Sequence, residues 1–332
     1  MFKGKTVLIT GATGLLGTNL SKELLKQGAR VIALGRSKEK ILSCFSEHIK
    51  SELFEYVAKD ISEDLLEFSE PIDLIFHAAG SIELSTIINK PLDIILPAVQ
   101  GSINCLELLK KQEQQTGKKG RFIYFSSEAI YGKENIDRYV GEKDTEISDS
   151  LQVQRAPYSH SKRMGELIVN GYVKQYDCDA LNVRLGWIYG NAIYKPKQAL
   201  YDFIYDALSG KDIMIKNGNT PRRDNLYMTD AISGLLTVAE KGKAGEVYNI
   251  SSNGEKDNFA APDEIAKIIA KIVNEKNLAQ REISVNYENM PSVREGGIKM
   301  NNDKLKSLGW SVTTSLAEGM EKLIEEIKNN VY

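Results

Sequence analysis

The segment TVLITGATGLLG, residues 6–17, constrains the fold of this 332-residue chain more than any other. Residues 6–10 form a short, continuous apolar and β-branched run, the pattern of a buried strand. From residue 15 to 27, Leu16, Leu20, Leu24 and Leu25 recur at helical spacing. Gly11, Gly14 and Gly17 stand between the two. A strand that turns through glycines directly into a helix presents free N–H groups and the positive end of the helix dipole. The missing side chains let backbone approach a pyrophosphate. Thr13, Leu15 and Leu16 lie in the same turn and join the three glycines as candidates to hold a dinucleotide.

The strand–helix rhythm continues through the first half. Further strands are expected at 31–34, 53–57, 74–77, 121–126 and 180–188, and helices at 95–113 and 162–175. Continuous apolar strands alternating with amphipathic helices predict an α/β fold, a doubly wound parallel sheet of the Rossmann kind. Around Pro196, Gly210, Gly218 and Pro221 the rhythm breaks. Residues 1–190 are therefore assigned mainly to the dinucleotide-binding domain, with returns near 226–252. Residues 191–225 and 253–332 are assigned mainly to a smaller, interleaved substrate-binding lobe. No Gly/Ser-rich linker separates them, which predicts a cleft and not a hinge.

A net charge of −2 gives no reason to expect a nucleic-acid or membrane partner. Cys44, Cys105 and Cys178 are too scattered for a metal site or a disulfide framework, so no metal is expected and a reducing, cytoplasmic setting is. The N-terminus lacks the apolar length of a signal peptide, and no run approaches the roughly 18 apolar residues of a spanning helix.

The end of the second strand selects the cofactor. An acid there holds the ribose 2′-hydroxyl of NAD. Here Gly35 occupies that place and Arg36 follows. A guanidinium suits a 2′-phosphate, so NADP(H) is favoured and NAD(H) is the alternative, in which Arg36 is an ordinary surface arginine. Asp60 and Ile61, after the third strand, are candidates to flank the adenine. Ala78, Ala79 and Gly80, after the fourth, would let backbone pass close to the cofactor.

Tyr158 and Lys162, in YSHSK, are one helical turn apart and share a face. A phenol ordinarily ionises near pH 10; a neighbouring ammonium is expected to lower that value and make the tyrosine a proton carrier. Ser127, ending the fifth strand, is positioned to donate a hydrogen bond to the same substrate oxygen. Ser127, Tyr158 and Lys162 are thus the candidate catalytic residues, and Tyr158 and Lys162 are also candidates to contact the cofactor.

Together TGATGLLG, HAAG (77–80), SSEAIYG, PYSHSK and RLGWIYG resemble the extended short-chain dehydrogenase/reductase superfamily, in its NAD(P)-dependent nucleotide-sugar epimerase/dehydratase/reductase branch. The resemblance covers nearly the whole chain. It implies a nucleotide-sugar substrate, a homodimer built through helices near 95–113 and 160–175, and substrate-binding roles for Arg223 in GNTPRRDNLYMTDA and Arg294 in VREGG. The alternative for each arginine is a surface ion-pair partner. Two departures bear on the reaction. In the dehydratases of this branch the Ser or Thr is followed by Asp and then Glu; here Ser127 is followed by Glu128 and Ala129, so an acid is retained and the second carboxylate is missing. Glu128 is accordingly a tentative catalytic and substrate-binding candidate. Trp187 replaces the usual Asn, as in 4-keto-sugar reductases, or simply fills core. These features favour an NADPH-dependent reductase of a nucleotide-linked 4-keto sugar. A C4 epimerase with tightly held cofactor is the alternative. A 4,6-dehydratase, a decarboxylase and a non-catalytic NADP sensor follow behind.

Overall fold

The computed structural model describes residues 2–63, 67–133, 137–289 and 296–331. The chain begins with β1 (Thr6–Thr10), α1 (Leu15–Lys26), β2 (Arg30–Gly35), α2 (Lys38–Cys44), β3 (Phe54–Ala58), β4 (Leu74–His77), α3 (Leu84–Asn89), α4 (Leu92–Thr116) and β5 (Arg121–Ser127). It continues with β6 (Arg138–Val140), α5 (Ala156–Tyr176), β7 (Ala180–Leu185), β8 (Trp187–Tyr189), α6 (Ala199–Leu208), β9 (Ile213–Ile215), β10 (Arg223–Tyr227), α7 (Met228–Lys241) and β11 (Val247–Ile250). Last come β12 (Phe259–Ala260), α8 (Pro262–Glu275), β13 (Val285–Tyr287), β14 (Ile298–Met300), α9 (Asp303–Lys306) and α10 (Leu316–Val331).

Seven strands form one parallel sheet in the order β11-β7-β5-β4-β1-β2-β3, the doubly wound architecture expected. Alternation of side chains explains why these strands are apolar throughout. Val7, Ile9, Ile123 and Phe125 face one layer with Leu20 and Leu24 of α1 and Leu235 and Val238 of α7. Leu8, Phe122 and Tyr124 face the other, with Leu106 and Leu109 of α4 and Val169 of α5. Strand order reverses between β1 and β4, and a crevice opens at the C-terminal ends of strands at such a point.

The single strand expected at 180–188 is two. β7 pairs with β5 and β11 in the main sheet, whereas β8 pairs with β10 in the other sheet. Gly186 is the pivot: its N–H donates to the Ile250 carbonyl, and a Cβ there would lie 2.9 Å from the Asp224 carbonyl oxygen. The smaller sheet runs β12-β10-β14-β6, and α6, α8 and α10 enclose a separate apolar cluster around Ile204, Ile269 and Leu323. Leu305, Trp310 and Val312 nevertheless pack into the main core, so the C-terminal portion serves both parts.

α4 is long and apolar enough by composition to cross a membrane, the one such helix among the described residues. Its apolarity has another use here. Ile94, Ala98, Cys105, Leu106 and Leu109 are buried, the last three against the sheet.

Candidate active site

α1 starts where β1 ends, at the strand reversal. Gly11 takes a φ of 66°, and a Cβ on it would sit 2.6 Å from the Ala78 carbonyl oxygen. Gly17 lies so close to the Gly11 carbonyl that any side chain would collide with it. The N-cap, Gly14, has no capping side chain, and the first turn holds no acid. The positive end of α1 is thus left uncompensated by the protein, which suits a pyrophosphate. Thr13 borders Gly35, and Leu15 and Leu16 are half-buried against the core. These residues fit a dinucleotide.

Arg36 extends from the end of β2 with its side chain 60% exposed, and its guanidinium is 3.9 Å from the Asp93 carboxylate. It is neither buried nor tightly paired, so its fork is accessible to an anion. Asp60 is engaged in its own turn, accepting hydrogen bonds from the Ser62 N–H at 2.9 Å and the Ser62 hydroxyl at 2.6 Å. Ile61 points into the core, and its carbonyl accepts from Asn104 at 2.8 Å. Ala78 and Ala79 are held to β1 through the Thr10 carbonyl and hydroxyl. Gly80 has a φ of 136° and open space where a Cβ would stand. Beneath them His77 is fully buried between the Thr10 hydroxyl and the Pro97 carbonyl, and burial pushes its pKa down to about 3, so it is neutral.

Ser127 ends β5, and its hydroxyl accepts from the Ala129 N–H, capping the 3-10 turn Glu128–Tyr131. Tyr158 stands in the first turn of α5, which starts six residues earlier than the helix expected at 162–175. Tyr158 lies near Ser127, whose hydroxyl favours the ionised form of the phenol. Lys162 is buried one turn on and donates to the Phe125 carbonyl at 2.7 Å. Burial pushes the Lys162 ammonium down to about 8, against the pull of Glu166.

One expectation is overturned. Lys162 does not lower the Tyr158 pKa here. Its ammonium is 5.8 Å from the Tyr158 ring centre and is spent on a backbone carbonyl. Burial dominates and raises Tyr158; the Ser127 hydroxyl lowers it, Glu128 raises it and Arg155 lowers it. Burial also pushes Glu128 up to about 7, with Arg223 opposing. Burial thus favours the protonated form of both the Tyr158 hydroxyl and the Glu128 carboxyl.

Trp187 is half-buried, not core: leaving the main sheet at Gly186 turns it toward β10, where the Arg223 guanidinium lies 3.7 Å from its ring centre. Burial lowers the Arg223 pKa, and Glu128 opposes that shift. Glu128, Trp187 and Arg223 thus form one wall beside Tyr158 and Ser127. Arg294 lies outside the described residues.

Arg155 was not singled out from sequence. Its charge reaches both Glu128 and Tyr158, and the buried Asp149 holds it at 2.9 Å. The available signal was its position, three residues before Tyr158 at the helix start. Glu166 was missed as well. It receives two hydrogen bonds from the Arg184 fork, at 2.9 and 2.7 Å, across a gap of 18 residues that no local pattern announces.

Comparison with known proteins agrees with this geometry. The model of the NAD dependent epimerase/dehydratase family matches residues 7–251. The trifunctional UDP-glucose 4,6-dehydratase/UDP-4-keto-6-deoxy-D-glucose 3,5-epimerase/UDP-4-keto-L-rhamnose-reductase of Arabidopsis thaliana is 27% identical over 99% of this chain and 48% of that protein. This chain thus spans about half the length of that relative. The dTDP-D-glucose 4,6-dehydratase of Homo sapiens is 26% identical over 99% of this chain and 91% of its own. Among solved structures, an epimerase from Methanothermobacter thermautotrophicus superposes with a TM-score of 0.79 at 26% identity, covering 99% of this chain and 94% of that one.

Proposed function

The chain belongs to the NAD-dependent epimerase/dehydratase family, and from that premise we propose that it oxidises or reduces a sugar carbon, C4, of a nucleotide-activated sugar. The observation that carries this reading is the nearness of Tyr158, on the first turn of α5, to Ser127 at the C-terminal end of β5, with Lys162 buried one turn on and bonded to the Phe125 carbonyl. Gly11, Gly14 and Gly17 would hold the pyrophosphate of the cofactor and Lys162 its nicotinamide ribose. When bound, the cofactor supplies or accepts a hydride. Ser127 and Tyr158 hold the sugar oxygen between them. Tyr158 moves the proton at that oxygen, and the Lys162 ammonium offsets the negative charge that develops there. Trp187 and Arg223 wall the sugar side. Arg223, and Arg294 by resemblance, would bind the nucleotide's phosphates.

Within this chemistry the favoured reaction is reduction of a 4-keto sugar by NADPH. Gly35 places no acid against a 2′-phosphate, and Arg36 is accessible to receive one. Ala129 is buried and carries no base, so elimination of water lacks its second carboxylate even though burial raises the Glu128 carboxyl to about 7. A C4 epimerase is the second reading, supported by the epimerase likeness at 26% identity. Incubation with NADPH and a panel of 4-keto and intact nucleotide sugars separates the two. Net loss of reduced nicotinamide with a keto sugar supports the reductase. Interconversion of intact sugars without net redox change overturns it in favour of the epimerase. A homodimer is also proposed, with the exposed Leu92, Leu96, Met164 and Leu167 of α4 and α5 at the contact between copies.

A further inference from the structure

The last three residues of β5 are each engaged from one face of α5. Tyr158 lies near Ser127, the Lys162 ammonium donates to the Phe125 carbonyl at 2.7 Å, and the Ser126 hydroxyl donates to Glu166 at 2.5 Å. Residues 158, 162 and 166 are successive turns of the helix, so they form a single stripe along it. Gly165, beside this stripe, lets the helix lie close: a Cβ there would collide with the buried Tyr124 hydroxyl of β5.

Two members of the stripe belong to the proposed chemistry, and the third does not touch it. Glu166 is buried, and both of its oxygens are used. One accepts from Ser126 and from the Arg184 Nε at 2.9 Å, the other from the Arg184 Nη2 at 2.7 Å. Arg184 is itself fixed to the Tyr131 hydroxyl at 3.0 Å and the Glu142 carbonyl at 2.7 Å. A fork-to-fork pair with a third hydrogen bond on one carboxylate oxygen resists swinging.

We propose that Glu166 is a positioning residue for the active site: pinned by Ser126 and Arg184, it clamps the end of β5 to α5 and keeps the neighbouring Lys162 side chain in its ammonium form. The inference rests on Lys162 serving the proposed reaction, but its test does not. Burial works against the Lys162 charge, and Glu166 is the anion that restores it. The other charged or titratable groups around this pair are Tyr124 on β5, Tyr158 and the cationic Arg163 on α5, His77 on β4 and Arg184 on β7. His77 is neutral, Tyr124 is held protonated by burial, and Arg184 is cationic, so none of them can replace the carboxylate.

The test is an NMR titration of the full protein carrying ¹³C-labelled lysine, with the Lys162 signal assigned from its loss in Lys162→Arg. No substrate is needed, so a wrong reaction assignment leaves the readout intact. In Glu166→Gln the Lys162 midpoint is expected to fall by about one pH unit, the size of effect an adjacent buried charge exerts. Glu166→Asp should recover part of the difference. A folded Glu166→Gln protein whose Lys162 titrates as in the wild type would overturn the proposal. If Glu166→Gln does not fold, Glu166→Asp decides. It keeps the carboxylate but draws it one carbon back from Lys162, so the midpoint should fall by a smaller amount; no movement in that variant would equally overturn it.

Discussion

At the scale of single residues, the proposed chemistry depends on oxygens that keep their protons. Tyr158→Phe deletes one hydroxyl from a buried position. Fold and cofactor binding should survive, while the chemical step slows by about 10²–10⁴-fold, the range for a lost acid–base group. Lys162→Met should slow the reaction and weaken cofactor binding together, and a titration of cofactor fluorescence distinguishes the two patterns. Glu128 offers a separate check. Its carboxyl is raised from 4.5 to about 7 by burial, so the unfolded chain ionises it before the folded chain does. Folding is therefore weakened as pH rises from about 4.5 to about 7, and the loss is fully present above that. Glu128→Gln should flatten this slope and raise the melting temperature at pH 8 relative to wild type, an effect on the order of 1–3 kcal/mol. Mass spectra of the product should show no loss of water in either protein. A dehydrated product would reinstate Glu128 as the acid of an elimination.

At the scale of elements, what matters is how closely backbone meets backbone. Gly17→Ala would push α1 away from the Gly11 carbonyl and move the N–H groups of its first turn. Affinity for NADPH is expected to fall at least tenfold by calorimetry, with a smaller change in melting temperature. The end of β2 governs which cofactor enters. Arg36→Ala should weaken NADPH by roughly ten- to a hundredfold, since charge-assisted hydrogen bonds are worth on the order of 1.5–3 kcal/mol, and should leave NADH nearly unchanged. The neighbouring Asp93 sharpens the test. Removing its carboxylate in Asp93→Asn should strengthen NADPH, because Arg36 would no longer share its charge. Equal affinity of the wild type for the two cofactors would refute the preference.

At the scale of the whole molecule, the exposed apolar side chains on α4 and α5 set an expectation about assembly. A symmetric contact places the same face of both copies together. Light scattering at micromolar concentration should report a dimer, and charges at Leu96 and Leu167 should shift it to monomer; a monomeric wild type would end the idea.

The sequence by itself determined the parallel sheet, the glycine turn and the candidates Ser127, Tyr158 and Lys162. Each depends on local spacing: apolar runs of strand length, glycines where backbone must turn, two side chains one helical turn apart. Only the tertiary structure decided the rest. The break at Gly186 lies inside an apolar run that reads as one strand, because both strands are apolar and hydrophobicity does not say in which sheet each pairs. Burial, set by residues far along the chain, raises Tyr158 against the local effect expected from Lys162. The partners that matter electrostatically are also distant in sequence, Glu128 with Arg223 and Glu166 with Arg184. Periodicity encodes what a residue does to its own element. Desolvation and Coulomb interactions depend on distances in space, which exist only once the chain has folded.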